Sequence, residues 1–145
     1  MMFLLDTNVV SELRKSPVQR GKSAAADHNV LAWAASVPKA AQFLSVVTIL
    51  ELEHGTLLMQ ARDPRRGVLL RFWLDKQVLP AFAGRVLPID TAVALRCAAL
   101  HVPNLRPERD ALIAATALIH GMIVVTRNVR DFEPTGVSLI NPWEY

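Results

Sequence analysis

One cysteine, Cys97, stands among the 145 residues, so no internal disulfide can form and a reducing cytoplasm is the expected setting. No apolar run approaches the roughly 18 residues that a membrane span requires. The first residues lack the basic stretch and small-residue cleavage site of a secretory signal. Internal repeats and low-complexity tracts are absent, which excludes a solenoid. Histidine is sparse, and His28, His101 and His120 have no mutual metal-ligand spacing. Glu51-Leu52-Glu53-His54 matches the Glu-x-x-His motif of helical di-iron proteins once, and that design needs a second copy on another helix. What remains is 52% hydrophobic and 20% charged, a globular composition long enough for one domain with a sizeable core. The net charge of +3 permits a nucleic-acid partner without demanding one.

The hydrophobic pattern alternates between strand and helix. Met1–Leu5 is evenly apolar and predicts a buried strand. Val9–Arg14 predicts a short helix, Lys15–Ala26 a loop and Asn29–Ser36 an amphipathic helix. Ala41–Val47 is the second strand. Thr48 opens a helix to about Arg62, where Asp63-Pro64 breaks it, and a second helix runs to about Val78 with a broad apolar face. This helical pair is a candidate dimer contact or partner-binding arm, or else a cover for the core. Arg85–Pro88 is a short strand, and Asp90 caps a helix to about Leu100. A Pro-containing connection over Val102–Arg106 leads to a strongly apolar helix, Pro107–His120, ended by Gly121. Met122–Val125 and Val137–Ile140 are the last strands. The order is that of an α/β domain with a mostly parallel central sheet flanked by helices.

Acids recur where strands hand over to helices. Asp6 follows the first strand, Glu51 lies in the helix after the second, and Asp110 lies in the first turn of the helix begun by Pro107. Asn128 and Asp131 follow Met122–Val125. Each has a local reading. Asp6 can cap the next helix. Thr48-Ile49-Leu50-Glu51 fits a capping box. Asp110 suits a helix N-terminus, and Asp131 can bond within a turn. As a set they can meet at the carboxyl edge of one sheet, where open α/β sheets bind ligands. Two carboxylates about 4 Å apart repel by roughly 4 kcal/mol at an effective dielectric near 20. Such a cluster therefore calls for a cation or for shifted protonation. Oxygen-only ligands suit Mg²⁺ or Mn²⁺. Basic residues are interleaved with the acids: Arg14 and Lys15, Arg106 and Arg109, Arg127 and Arg130. They are either ordinary surface charge or the contacts of a polyanionic substrate.

Four blocks and an ending carry a family resemblance. Leu4-Leu5-Asp6-Thr7-Asn8-Val9-Val10-Ser11-Glu12-Leu13 resembles the opening of PIN-domain ribonucleases, nearest to the VapC and FitB-type toxins of bacterial toxin–antitoxin pairs. Ser45-Val46-Val47-Thr48-Ile49-Leu50-Glu51-Leu52 resembles their second block. Asp110-Ala111-Leu112-Ile113-Ala114-Ala115-Thr116-Ala117 resembles the third, and Val124-Val125-Thr126-Arg127-Asn128-Val129-Arg130-Asp131-Phe132 the fourth. Asn141-Pro142-Trp143 resembles the group's usual ending.

The resemblance implies a PIN-like fold over residues 1–145 and a Mg²⁺- or Mn²⁺-dependent endoribonuclease. It also implies an RNA substrate, a cognate antitoxin and a homodimer. Asp6, Glu51 and Asp110 match the family's three acidic positions and are expected to hold the main metal. Thr7, Asn8, Ser11, Thr126 and Asn128 are expected to surround them. Some members carry an acid directly after the Thr-Arg pair of the fourth block. Asn128 stands there, and Asp131 is expected to supply the charge as the fourth catalytic acid. Arg14, Lys15, Arg106, Arg109, Arg127 and Arg130 are the candidate RNA contacts. The alternative is a PIN-like module that binds RNA or protein with weak or no cleavage. A haloacid-dehalogenase-type phosphatase would need a second acid where Asn8 stands.

Overall fold

The apolar run before Asp6 forms β1, Phe3–Leu5, with all three residues buried. Residues 1–21 and 24–145 are described in the structure, which is a computed structural model. Asp6 turns the chain into α1, Thr7–Leu13. After α2, His28–Ser36, come β2, Gln42–Ser45, and α3, Val46–Arg62. A second long helix, α4, begins at Pro64 and runs to Trp73. It continues through a wider π-type turn, Leu74–Val78, into α5, Leu79–Ala81. Then follow β3, Val86–Leu87, α6, Thr91–Leu100, α7, Glu108–His120, and β4, Ile123–Val125. A short helix, α8, Val129–Phe132, and β5, Leu139–Ile140, complete the order.

Among the described residues the four strand pairings are parallel, in the order β3-β2-β1-β4-β5. The chain first builds outward from β1 through β2 to β3, then returns to place β4 on the other side of β1. This reversal makes a switch point between β1 and β4, and the carboxyl ends of the strands share one edge there. Successive strand residues face opposite sides. Phe3, Leu5 and Val125 pack with Val9, Val30, Trp33, Leu52, Leu74 and Val78 on one side of the sheet. Leu4 and Val124 pack with Ile113, Ala114, Ala117 and Phe132 on the other.

The expected elements form, with shifted bounds. The strands are shorter because Met1 and Met2 are exposed and because Ser45 already caps α3, its hydroxyl accepting from the Val47 N–H at 3.0 Å. The helix expected to start at Thr48 therefore starts at Val46, and Thr48 is fully buried inside it. The expected loop over 15–26 has no helix at its described residues, and residues 22 and 23 lie outside them. The helix α8 is additional to the expected elements. Gly67 lets α4 cross α3 closely: a Cβ there would stand 2.5 Å from the Gln60 Cα.

Candidate active site

Asp6 divides its two oxygens between fold and site. Oδ1 accepts from the Thr7 N–H at 2.8 Å, capping α1. Oδ2 accepts from the Thr126 hydroxyl at 2.7 Å and, more weakly, from Asn8 Nδ2 at 3.4 Å. Thr126 arrives beside Asp6 because β4 pairs with β1 in register, with the Asp6 N–H donating to the Val125 carbonyl at 2.9 Å. The hydroxyl's one proton is used in the hydrogen bond to Asp6, so Thr126 Oγ1 can otherwise only accept. The same oxygen accepts from Asn8 Nδ2 at 3.3 Å and from the Asn128 N–H at 3.0 Å. Asn8 Oδ1 in turn accepts from the Arg127 N–H at 3.4 Å.

Glu51 is not part of a capping box, because Ser45 caps α3 instead. It faces Thr7, whose hydroxyl donates to Glu51 Oε1 at 2.7 Å across 44 positions of sequence. The Thr7 and Thr48 hydroxyl oxygens are 3.1 Å apart, so Thr48 can donate to Thr7 while Thr7 donates to Glu51. Arg109 brings its Nη1 to 3.6 Å from the other Glu51 oxygen.

Asp110 lies in the first turn of α7, half-buried. Burial first, then the charges of Asp6, Asp131 and Glu51, push its carboxyl up to about 6. Burial also raises Asp6, with Glu51 and Asp131 adding to the rise and the Thr126 and Thr7 hydrogen bonds opposing it. Four carboxylates from β1's end, α3, α7 and α8 thus lie within range of one another's fields. The Asn128 side chain gives α8 no cap. Ser11 makes no hydrogen bond to the acids among the described residues.

The basic candidates divide. Arg109 stands at the acids. Arg127 stacks over the Trp143 ring at 5.1 Å, next to Asn8, and Arg130 is exposed on α8. Arg106 turns toward α6, its Nε donating to the Leu100 carbonyl at 2.7 Å. Arg14 lies 5.9 Å over Trp73, and Lys15 pairs with Glu12 at 2.9 Å. Both line a cleft of about 680 Å³ that includes Arg20, Arg66 and Leu69 but none of the four acids. Thr48 and Trp143 were not among the expected site residues. The signal for Thr48 was its place one helical turn before Glu51, which puts both on one face.

A PIN domain family model matches residues 3–136. VapC ribonuclease Y4jK of Sinorhizobium fredii is 39% identical over 148 residues, spanning 99% of each chain. Toxin FitB of Neisseria gonorrhoeae is 36% identical over 148 residues, spanning 98% of this chain and 99% of FitB. The crystal structure of FitAcB from Neisseria gonorrhoeae matches with a TM-score of 0.84 at 34% identity, over 99% of this chain and 100% of that one. A parallel sheet with acids along its carboxyl edge and likeness over nearly the full length agree: the chain belongs to the PIN domain family.

Proposed function

We propose that this chain is a divalent-metal-dependent endoribonuclease, the toxin of a toxin–antitoxin pair. The observation that carries the reading is the mutual influence of Asp6, Glu51, Asp110 and Asp131 at one sheet edge, in a chain 39% identical to a VapC ribonuclease. The donors fit a hard divalent cation. They are all oxygens, and burial, with the neighbouring carboxylates adding to it, raises the Asp6 and Asp110 carboxyls. Mg²⁺ or Mn²⁺ held by Asp6, Asp110 and Glu51 would lower the pKa of a bound water and neutralise charge on the scissile phosphate.

The chain's own residues do the rest. Thr126 and Asn8 fix the Asp6 carboxylate, and Thr7 fixes Glu51. This is the outer support that ligating carboxylates need. Asp131 supplies the charge that Asn128 lacks. Arg109 is the cation placed to meet substrate phosphate. Departure of the 3′ oxygen would leave 5′-phosphate and 3′-hydroxyl ends.

The same reading makes the chain one domain, cytoplasmic, dimeric and held by an antitoxin. No helix among the described residues is long and apolar enough to cross a membrane. The α3–α4 arm exposes Leu57, Leu58, Val68, Leu69 and Phe72, a surface suited to the dimer or the antitoxin. The test is cleavage of RNA by purified protein in Mg²⁺ or Mn²⁺. EDTA should abolish it, and folded Asp6→Asn and Asp110→Asn proteins should lack it. Cleavage that survives EDTA, or that either variant retains in full, would falsify the assignment.

A further inference from the structure

A second cluster of reactive side chains lies outside the acidic edge. Cys97 and His101 stand one turn apart at the end of α6, and Glu108 opens α7. His101 Nε2 is 3.0 Å from Glu108 Oε2. Cys97 Sγ lies 3.9 Å from Glu108 Oε1 and 3.8 Å from His101 Nε2. Such spacing resembles a set of zinc ligands. The other ring nitrogen decides against zinc. His101 Nδ1 accepts from the Arg106 backbone N–H at 3.0 Å. Nδ1 is therefore bare, and the ring proton sits on Nε2, the atom a metal would need. Nε2–H donates to one oxygen of Glu108, and the Cys97 thiol donates to the other. The three groups satisfy one another.

This cluster sits at the start of α7, beside the apolar contact of Ala111 and Ala115 with Val93 and Cys97 of α6. Pro107 occupies the N-cap position, and no side chain among the described residues caps the helix. Residues 102–105 of the preceding connection are exposed. Its far end is held to α6 by the Arg106 N–H on His101, by Arg106 Nε on the Leu100 carbonyl and by Glu108. Asp110 follows two residues later. Glu108 faces α6, where it meets His101 and Cys97, and Asp110, two residues on, faces the other way.

We infer that His101, acting through Glu108, is a positioning residue for Asp110. The clamp fixes the first turn of α7, from which Asp110 projects. This rests on the reading of Asp110 as a metal ligand.

The test measures Mn²⁺ binding to the full chain by calorimetry, without RNA. His101→Ala and Glu108→Ala should each raise the Mn²⁺ Kd by about tenfold, the lower end of what loss of an outer support costs a metal site. Glu108→Gln keeps an oxygen that accepts from His101 and should bind close to wild type. Nitrogen-15 NMR of wild type should show His101 protonated at Nε2 and bare at Nδ1, a readout that needs no variant. Wild-type Mn²⁺ binding in both alanine variants would overturn the inference, as would Glu108→Gln failing as badly as Glu108→Ala, or a proton on Nδ1. One equivalent of Zn²⁺ bound by wild type and Asp110→Asn, and lost in Cys97→Ser, would replace the clamp with a metal site. Asp110→Asn is the control for the underlying reading. If it binds Mn²⁺ like wild type, the acidic-edge reading fails and the inference fails with it. If it does not, while the alanine variants bind normally, only the inference fails.

Discussion

Glu51 and Glu53 are two positions apart on α3 and live under opposite rules. Two residues turn a helix by about 200°, so the pair faces opposite sides. Glu53 meets Arg71 of α4, which holds it through both terminal nitrogens and also reaches Asp75 at 3.2 Å and Gln60 at 3.3 Å. The hydrogen bond from Arg71 holds Glu53 below the usual carboxylate range. Glu51 faces the acidic edge, where burial and neighbouring carboxylates push Asp110 up to about 6 and one guanidinium stands 3.6 Å away. A carboxylate whose cation is built into the chain serves the fold. A group of carboxylates with too little cation nearby is suited to one that arrives from solution.

The sharpest way to break this contrast is at its acidic end. Asp6→Asn or Asp110→Asn should lower RNA cleavage by at least about 100-fold, with unchanged circular dichroism, since even outer supports of a metal site cost up to that much. The two glutamates come next. Glu51→Gln should lower cleavage at least about tenfold while the melting temperature holds, because Ser45 rather than Glu51 caps the helix. Glu53→Gln should do the reverse: unchanged cleavage and the small stability loss expected of an exposed ion pair. Equal effects from the two would erase the distinction.

A finer comparison separates Asp131 from Asn128. Asp131→Asn should demand more Mn²⁺ for half-maximal cleavage, and Asn128→Ala should demand less of an increase. Asp131 acts on the carboxyls of Asp6 and Asp110, whereas the link from Asn128 to Thr126 is through its backbone N–H. A wild-type titration curve for Asp131→Asn would reduce that residue to a turn position. The smallest effect is one of pH. Asp110 ordinarily titrates near 3.8 and does so near 6 in the folded chain, so folding takes up a proton between those values. Metal-free wild type should therefore gain stability from this group as pH falls through about 6. Asp110→Asn, which has no charge to bury, should melt several degrees higher than wild type at pH 7.5, with the gap closing toward pH 4. Glu53 has the opposite sign. Its contribution is present above its ordinary value of 4.5 and is lost as pH falls below that value. A gap that widens on acidification would contradict the Asp110 shift.

The α/β order was legible because strand and helix patterns differ in period and because Asp6, Asp63-Pro64, Asp90 and Gly121 punctuate them. The ends were harder. Thr48 and Glu51 have the spacing of a capping box, yet Ser45, at the last residue of β2, reaches the free N–H first. Local spacing cannot say which of two hydroxyls meets the helix start. The acids could be read as a set from their recurrence after strands, but their supports could not. The Thr7–Glu51 and Thr126–Asp6 bonds cross 44 and 120 positions and exist only through the sheet order. The same applies to His101. In sequence it was weighed only against the other histidines, and the packing of α7 on α6 brings it to Glu108. Among the bases, sequence neighbours separated in space: Arg109 stayed at the acids, while Arg106 became a tie to α6.

The close crossing at Gly67 makes the α3–α4 arm a lever rather than a flap. At Gln60 the two helices meet backbone against backbone, and Arg71 ties them again at Glu53. The 17-residue helix α3, roughly 25 Å long, carries Glu51 near one end and the exposed Leu57 and Leu58 toward the other. A load applied at those leucines would bear on the same continuous helix that sets Glu51 against Thr7.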